Sequence, residues 1–256
     1  MSPFTYSLLC LALLAGAIAG GQALRARLPD THLSEGSETA VRAAVGLLTT
    51  LTAIVLGFTV GAARGYYDTV QDGLTTLAAK TRVLDRTLER LGPEAAPMRV
   101  LLRGAAGAAV RTAWPGHPTR LPEAAPGTAV PRLEQVQDRL LAWRPEAPRA
   151  QALHAQALQI TQAMLEVTGT VFETTGSGVQ RPLVLALTGW LACIFLGLAL
   201  LAPPTPTALG ALVLGALAAT GAILITLEYY EPLRGLVAIS PELFERAFEA
   251  SPPIPH

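Results

Sequence analysis

The sequence predicts an all-α membrane protein, with four transmembrane helices and a helical cytoplasmic region inserted between spans two and three. Three observations carry this. The chain of 256 residues is 51% hydrophobic and only 15% charged, with a mean hydropathy of +0.41. It contains four charge-free runs of spanning length, at 4–24, 43–63, 182–202 and 207–227. A helix rises about 1.5 Å per residue, so about 20 apolar residues cross a hydrocarbon core of about 30 Å. Between the second and third runs, apolar residues recur in alternating steps of four and three, the mark of packed helices.

Residues 1–24 carry no charged side chain. The rival reading is a secretory signal, with small residues around Gly16–Gly21 as the cleavage site. A signal opens on a positive n-region, and only the α-amino group is positive here, so the stretch reads as a retained helix. Residues 25–42 form a polar connection. Ser34 or Ser37 is the expected cap of the second helix, with Glu35 and Glu38 favourable at its positive end.

The second run, Ala43–Ala63, is bracketed by Arg42 and Arg64 and threaded with Thr49, Thr50, Thr52, Thr59 and three glycines. Thr50, Ile54 and Phe58 stand four residues apart and share one face. If several copies surround an axis, Ile54 and Phe58 would form an apolar gate that excludes water; alternatively they pack against lipid or another helix. Gly16–Gly20 and Gly57–Gly61 fit the small-xxx-small spacing that lets helices approach closely.

From Tyr66 the polarity changes but the helix continues. Val70, Leu74, Leu77, Thr81, Leu84, Leu88 and Leu91 make a seam that Gly92-Pro93 ends. A second amphipathic stretch covers 94–113, and the proline- and glycine-rich 114–131 reads as a loop. Leu133, Val136, Leu140 and Trp143 mark a short helix, and Leu153, Ala157, Ile160, Met164, Val167 and Val171 a second seam. The two seams are expected to pack together or on neighbouring copies.

The last two spans are split by Pro203-Pro204-Thr205-Pro206, a hairpin because proline cannot continue a helix. Ser240-Pro241-Glu242 starts a last short helix with Leu243, Phe244, Ala247 and Phe248 on its apolar face. The expected division is therefore a first helix pair at 1–64, a cytoplasmic helical region at 65–181, a second pair at 182–227 and a cytoplasmic tail at 228–256. Arg64 and Arg181 flank the long region while the hairpin has no basic residue, so the positive-inside rule puts that region and both termini in the cytoplasm.

Arg64 and Glu228 are candidates for the mouth of a pore: one would draw anions, the other would line a vestibule or hold a cation. Their plainer readings are a stop signal and a water-exposed interfacial carboxylate. Tyr66, Tyr67, Tyr229 and Tyr230 suit an interfacial aromatic belt. Cys10 and Cys193 lie in apolar runs, and His32, His117, His154 and His256 have no metal-ligand or catalytic spacing. No phosphate loop, nucleophile elbow or other cofactor motif is present, so neither an enzyme nor a cofactor is expected. A formal net charge of zero argues against nucleic acid as a partner.

These residues resemble the bacterial bestrophin-like membrane proteins. The resemblance is carried by LPDTHLSEGSETAVRAAVGLLTTLTAIVLGFTVGAARGYYDT, LAAKTRVLDRTLERLGPEA and ILITLEYYEPLRGLVAISPELF, whereas the proline-rich middle agrees only in layout. Val55-Leu56-Gly57-Phe58 and Arg64-Gly65-Tyr66-Tyr67 are similar to elements of the pore-lining helix of bestrophin anion channels. The resemblance implies a homo-pentamer in the bacterial inner membrane that conducts ions, anions by analogy. It also implies a constriction whose three positions fall on Phe58, Ile54 and Thr50. Thr50 departs from the pattern by making one ring polar. The acidic calcium-binding cluster of the eukaryotic channels has no match. After span four the family reads Glu-Leu-Asp-Arg-Pro-Phe where this chain has Glu228-Tyr229-Tyr230-Glu231-Pro232-Leu233, replacing a basic residue with Glu231. The alternative is a non-conducting membrane scaffold or sensor whose cytoplasmic helices bind a partner.

Overall fold

The computed structural model describes residues 2–29, 35–117, 119, 121–122, 125, 127–176, 181–233, 235, 237–242 and 246. Its helices are α1 (Pro3–Arg27), α2 (Glu35–Leu91), α3 (Ala96–Ala113), α4 (Ala129–Ala142), α5 (Pro148–Gly176), α6 (Arg181–Leu201) and α7 (Pro206–Tyr229). Among the described residues there is no strand. Four helices are long and apolar enough to cross a membrane: α1, α2, α6 and α7.

Each boundary has a local cause. Ser2 caps α1 through Thr5 N, with Pro3 at the first helical position. The missing charge along 43–63 and the seam after it are both helical, so α2 runs unbroken for 57 residues. It stops where expected, because Gly92 takes a φ of +95°, open to glycine at little cost, and Pro93 follows. Thr205, read from sequence as part of the hairpin, caps α7 through Ala208 N. Ser37 is not a cap: α2 already begins at Glu35, which leaves Ser37 inside its first turn, and Ser34 lies outside the described residues.

The chain divides into two compact units, 1–67 with 178–231, and 68–177 with 232–256. In the first, Cys10, Leu14 and Ile18 of α1 form a core with Val184, Leu191 and Phe195 of α6 and Leu212, Ala216 and Ile223 of α7. The glycine that matters is neither of the predicted pairs. A Cβ at Gly16, Gly20, Gly57 or Gly61 would meet nothing within 4 Å, whereas one on Gly21 would lie 2.5 Å from the Leu196 carbonyl oxygen and 2.8 Å from Ala199 Cβ. The spacing rule finds small residues, and the neighbouring helix happens to press on a different one. Beside Gly21, Gln22 donates to the carbonyls of Ala199 and Ala202 at 2.8 and 3.2 Å, and Arg25 to those of Leu200 and Leu201 at 3.0 and 2.9 Å. The last carbonyls of α6, which have no partner within their own helix, are thus closed by side chains of α1.

In the second unit the two seams meet. Leu84 and Leu88 of α2 share a core with Met98 and Leu102 of α3, Leu133, Val136 and Leu140 of α4, and Ala157 and Met164 of α5. Trp114 is pinned at the end of α3, its Nε1 donating to the Ile239 carbonyl at 2.8 Å. Ser240 Oγ accepts from Glu242 N at 3.3 Å, as the predicted helix start requires, while Leu243, Phe244, Ala247 and Phe248 lie outside the described residues.

Candidate functional site

The first part of α2 is the least covered of the four apolar helices: only 11% of its apolar window is buried. Its two sides differ. Thr52 and Thr59 are buried, and Val45 packs over Gly197 of α6, so one side is committed to its own unit. Thr50, Ile54 and Phe58 all lie on the exposed side, Ile54 at 52% and Phe58 at 76%. Leu47 and Leu51 extend the same surface. At about 100° per residue, Thr52 and Ile54 stand about 200° apart, so the buried and the exposed residues lie on opposite sides of the helix.

The threonines do not break the apolar character of the helix. The hydroxyls of Thr49, Thr50, Thr52 and Thr59 each donate to the carbonyl four residues back, Thr50 to Gly46 at 3.1 Å. That bond satisfies the hydroxyl hydrogen within the helix and leaves the Thr50 oxygen able to accept from outside.

At the far end of this segment Arg64 is exposed and Glu228, in the last turn of α7, is 8% exposed. Glu228 is therefore not the water-exposed carboxylate that a charge at a helix end suggests. The four tyrosines form two pairs between α2 and α7: Tyr66 with Tyr230 at 5.4 Å between ring centroids, and Tyr67 with Tyr229 edge to face at 5.6 Å. Burial and, after it, the neighbouring Tyr230 raise the Tyr66 phenol above its ordinary pKa. Ring pairs at these distances gain beyond their buried area, so they hold the C-terminal end of α7 against the middle of α2.

No group of three or more His, Cys, Asp or Glu side chains able to hold a metal occurs among the described residues. His154 accounts for itself structurally, with Nε2 2.7 Å from the Leu140 carbonyl and its ring edge to face with Trp143. Cys10 is buried and Cys193 exposed, and both are free thiols.

Sequence reading missed one charged cluster entirely. Asp85 of α2, fully buried, accepts from Arg99 (Nε to Oδ1 3.2 Å, Nη2 to Oδ2 3.1 Å) and from Arg103 (Nε to Oδ1 3.4 Å, Nη2 to Oδ2 3.3 Å), both on α3. Asp85 is one step beyond Leu84 and four beyond Thr81, so it extends the seam. Its partners lie 14 and 18 residues away, beyond the reach of helical periodicity.

A bestrophin-like domain is matched over residues 11–244. The fold is similar to crystal structures of a bacterial bestrophin homolog from Klebsiella pneumoniae. A tryptophan-to-alanine variant of that protein aligns at a TM-score of 0.72 and 16% identity, over 97% of this chain and 98% of that one. A leucine-to-threonine variant aligns at 0.67 and 16% over the same shares, and an aspartate-to-alanine variant at 0.67 and 18% over 95% of each chain. No curated protein matches the chain at a significant level. With the domain matched over nearly its whole length and the four-span helical fold in agreement, the chain belongs to the bestrophin-like family.

Proposed function

We propose that the protein is an oligomeric ion conduit of the bacterial inner membrane, lined by α2 and narrowed by Thr50, Ile54 and Phe58, with anions as the permeant class. One observation carries this reading. Among the described residues, the side of α2 bearing those residues is exposed, while Thr52 and Thr59 on the opposite side are buried. Copies arranged about an axis would bring the uncovered stripes together, and rings of Ile54 and Phe58 would exclude water as a hydrophobic constriction does. Thr50 would add a ring of acceptor oxygens next to them. Arg64 and Glu228 would stand at the mouth, with 65–181 and both termini in the cytoplasm and five copies in the ring, as in the channels the family resembles.

Planar-bilayer recording of the purified full chain under asymmetric chloride tests this. Discrete current steps that reverse near the chloride equilibrium potential are expected. Steps reversing near the cation potential would keep the conduit and overturn the anion assignment. Silent bilayers, with incorporation verified and the chain monomeric or dimeric by mass, would favour the non-conducting scaffold.

A further inference from the structure

The second unit contains a cavity of about 330 Å³ whose walls are almost wholly apolar. One wall is the face of α3 formed by Leu102, Ala105, Ala106, Ala109 and Ala113, and Leu74, Met164 and Val171 stand opposite. Alanines occupy positions where a close-packed core would carry larger side chains, and they are what leaves the space. The three hydroxyls in the lining have given away their hydrogens: Thr81 to Leu77 O, Thr112 to Ala108 O and Thr168 to Met164 O. Among the described residues, the walls therefore hold no spare hydroxyl donor and no charged side chain. An apolar cavity of about 150 Å³ stays dry and takes up one benzene, so this one is about twice the size that suffices to bind an apolar guest.

The cavity also has a direction. Trp114 and Leu233 belong both to its lining and to that of a second, more open cleft with Pro115, Gly116 and His117. Trp114 and Leu233 thus stand between the apolar space and a recess that carries the His117 imidazole. The Trp114 indole is held in place by its bond to Ile239 O, which makes it a fixed part of the mouth.

We propose that this cavity binds a single aliphatic chain, methyl end inward, with its polar head in the cleft beside His117. The assignment is independent of ion conduction and of the α2 stripe. The chain could belong to a free fatty acid or to a membrane lipid, and the two are separable by experiment. The full-length protein with Trp143→Phe and Trp190→Phe, which leaves Trp114 as the only indole, is placed in nanodiscs. It is titrated with decanoic acid carrying bromine on its last carbon, which quenches an indole in contact with it.

Saturable quenching of Trp114 is expected, reversed by unlabelled decanoic acid and not by decanedioic acid, whose second carboxylate would have to be buried. Ala109→Leu and, independently, Ala113→Leu fill the cavity and should raise the half-quenching concentration at least tenfold. Each variant's thermal midpoint reports whether it has folded. Quenching by nanodiscs with brominated phospholipid tails would identify a membrane lipid as the source, and quenching by the acid alone a free fatty acid. Absence of saturable quenching from both, equal competition by decanedioic acid, or an unchanged half-quenching concentration in both folded variants would overturn the proposal.

Discussion

Arg99 grips Asp85 through two parallel hydrogen bonds, with the aspartate side chain fully buried and the arginine side chain 5% exposed. A planar guanidinium and a carboxylate match in this geometry, and Arg103 makes a second, longer fork on the same oxygens. Three charges are thus taken out of water and joined where α2 meets α3. Removing the carboxylate charge would leave two arginines without their shared partner. Asp85→Asn, which keeps the shape, is expected to cost about 3–5 kcal/mol. For a chain of this size that is a fall of about 6–20 °C in the unfolding midpoint. A midpoint in detergent within 2 °C of wild type would show that the cluster contributes nothing to stability.

Gly20 and Gly21 are neighbours with opposite surroundings, which makes a controlled pair. A methyl group on Gly21 would meet the backbone of Leu196 and Leu200 and the side chain of Ala199, so α1 would have to move off α6. A methyl on Gly20 meets open space. Gly21→Ala should lower the unfolding midpoint and the yield of monodisperse protein. Gly20→Ala should be neutral or slightly stabilising, since alanine is favoured over glycine in a helix by about 1 kcal/mol. Equal behaviour of the two variants would contradict the packing of α1 on α6.

These pairs show what was legible in the sequence and what was not. Helix ends set by local chemistry could be read directly: Gly92-Pro93 stops α2, and the proline hairpin separates α6 from α7. Both seams were legible because burial repeats with the helical period. Features that depend on a partner far along the chain were not. Gly16–Gly20 has the same local spacing as a packing motif, and only the position of α6 decides that Gly21 is the contact. Asp85 reads as an ordinary charge beside a seam until α3 brings Arg99 over it, and Glu228 as an exposed one until its surroundings bury it. The Thr50, Ile54 and Phe58 stripe was legible as a face.

The proposed orientation rests on arginine distribution and is open to labelling. In a Cys10→Ala, Cys193→Ala background, Thr205→Cys should react with a membrane-impermeant maleimide on intact spheroplasts. Glu94→Cys, at an exposed position beyond α2, should react only after lysis. The reverse pattern would invert the topology and place 65–181 outside the cell.

The gate is tested most directly by comparing Phe58→Ala with Leu56→Ala. Both remove apolar bulk from the same helix, but Leu56 lies about 200° around it from Phe58 and is half-buried where Phe58 is exposed. Phenyl rings about an axis exclude water because confined water beside apolar walls loses hydrogen bonds it cannot replace. Phe58→Ala would widen and wet that ring. The decisive measurement is ion flux from liposomes at matched incorporation of wild type and the two variants. Flux should rise several-fold for Phe58→Ala and stay near wild type for Leu56→Ala. Equal flux from all three would contradict a constriction at Phe58.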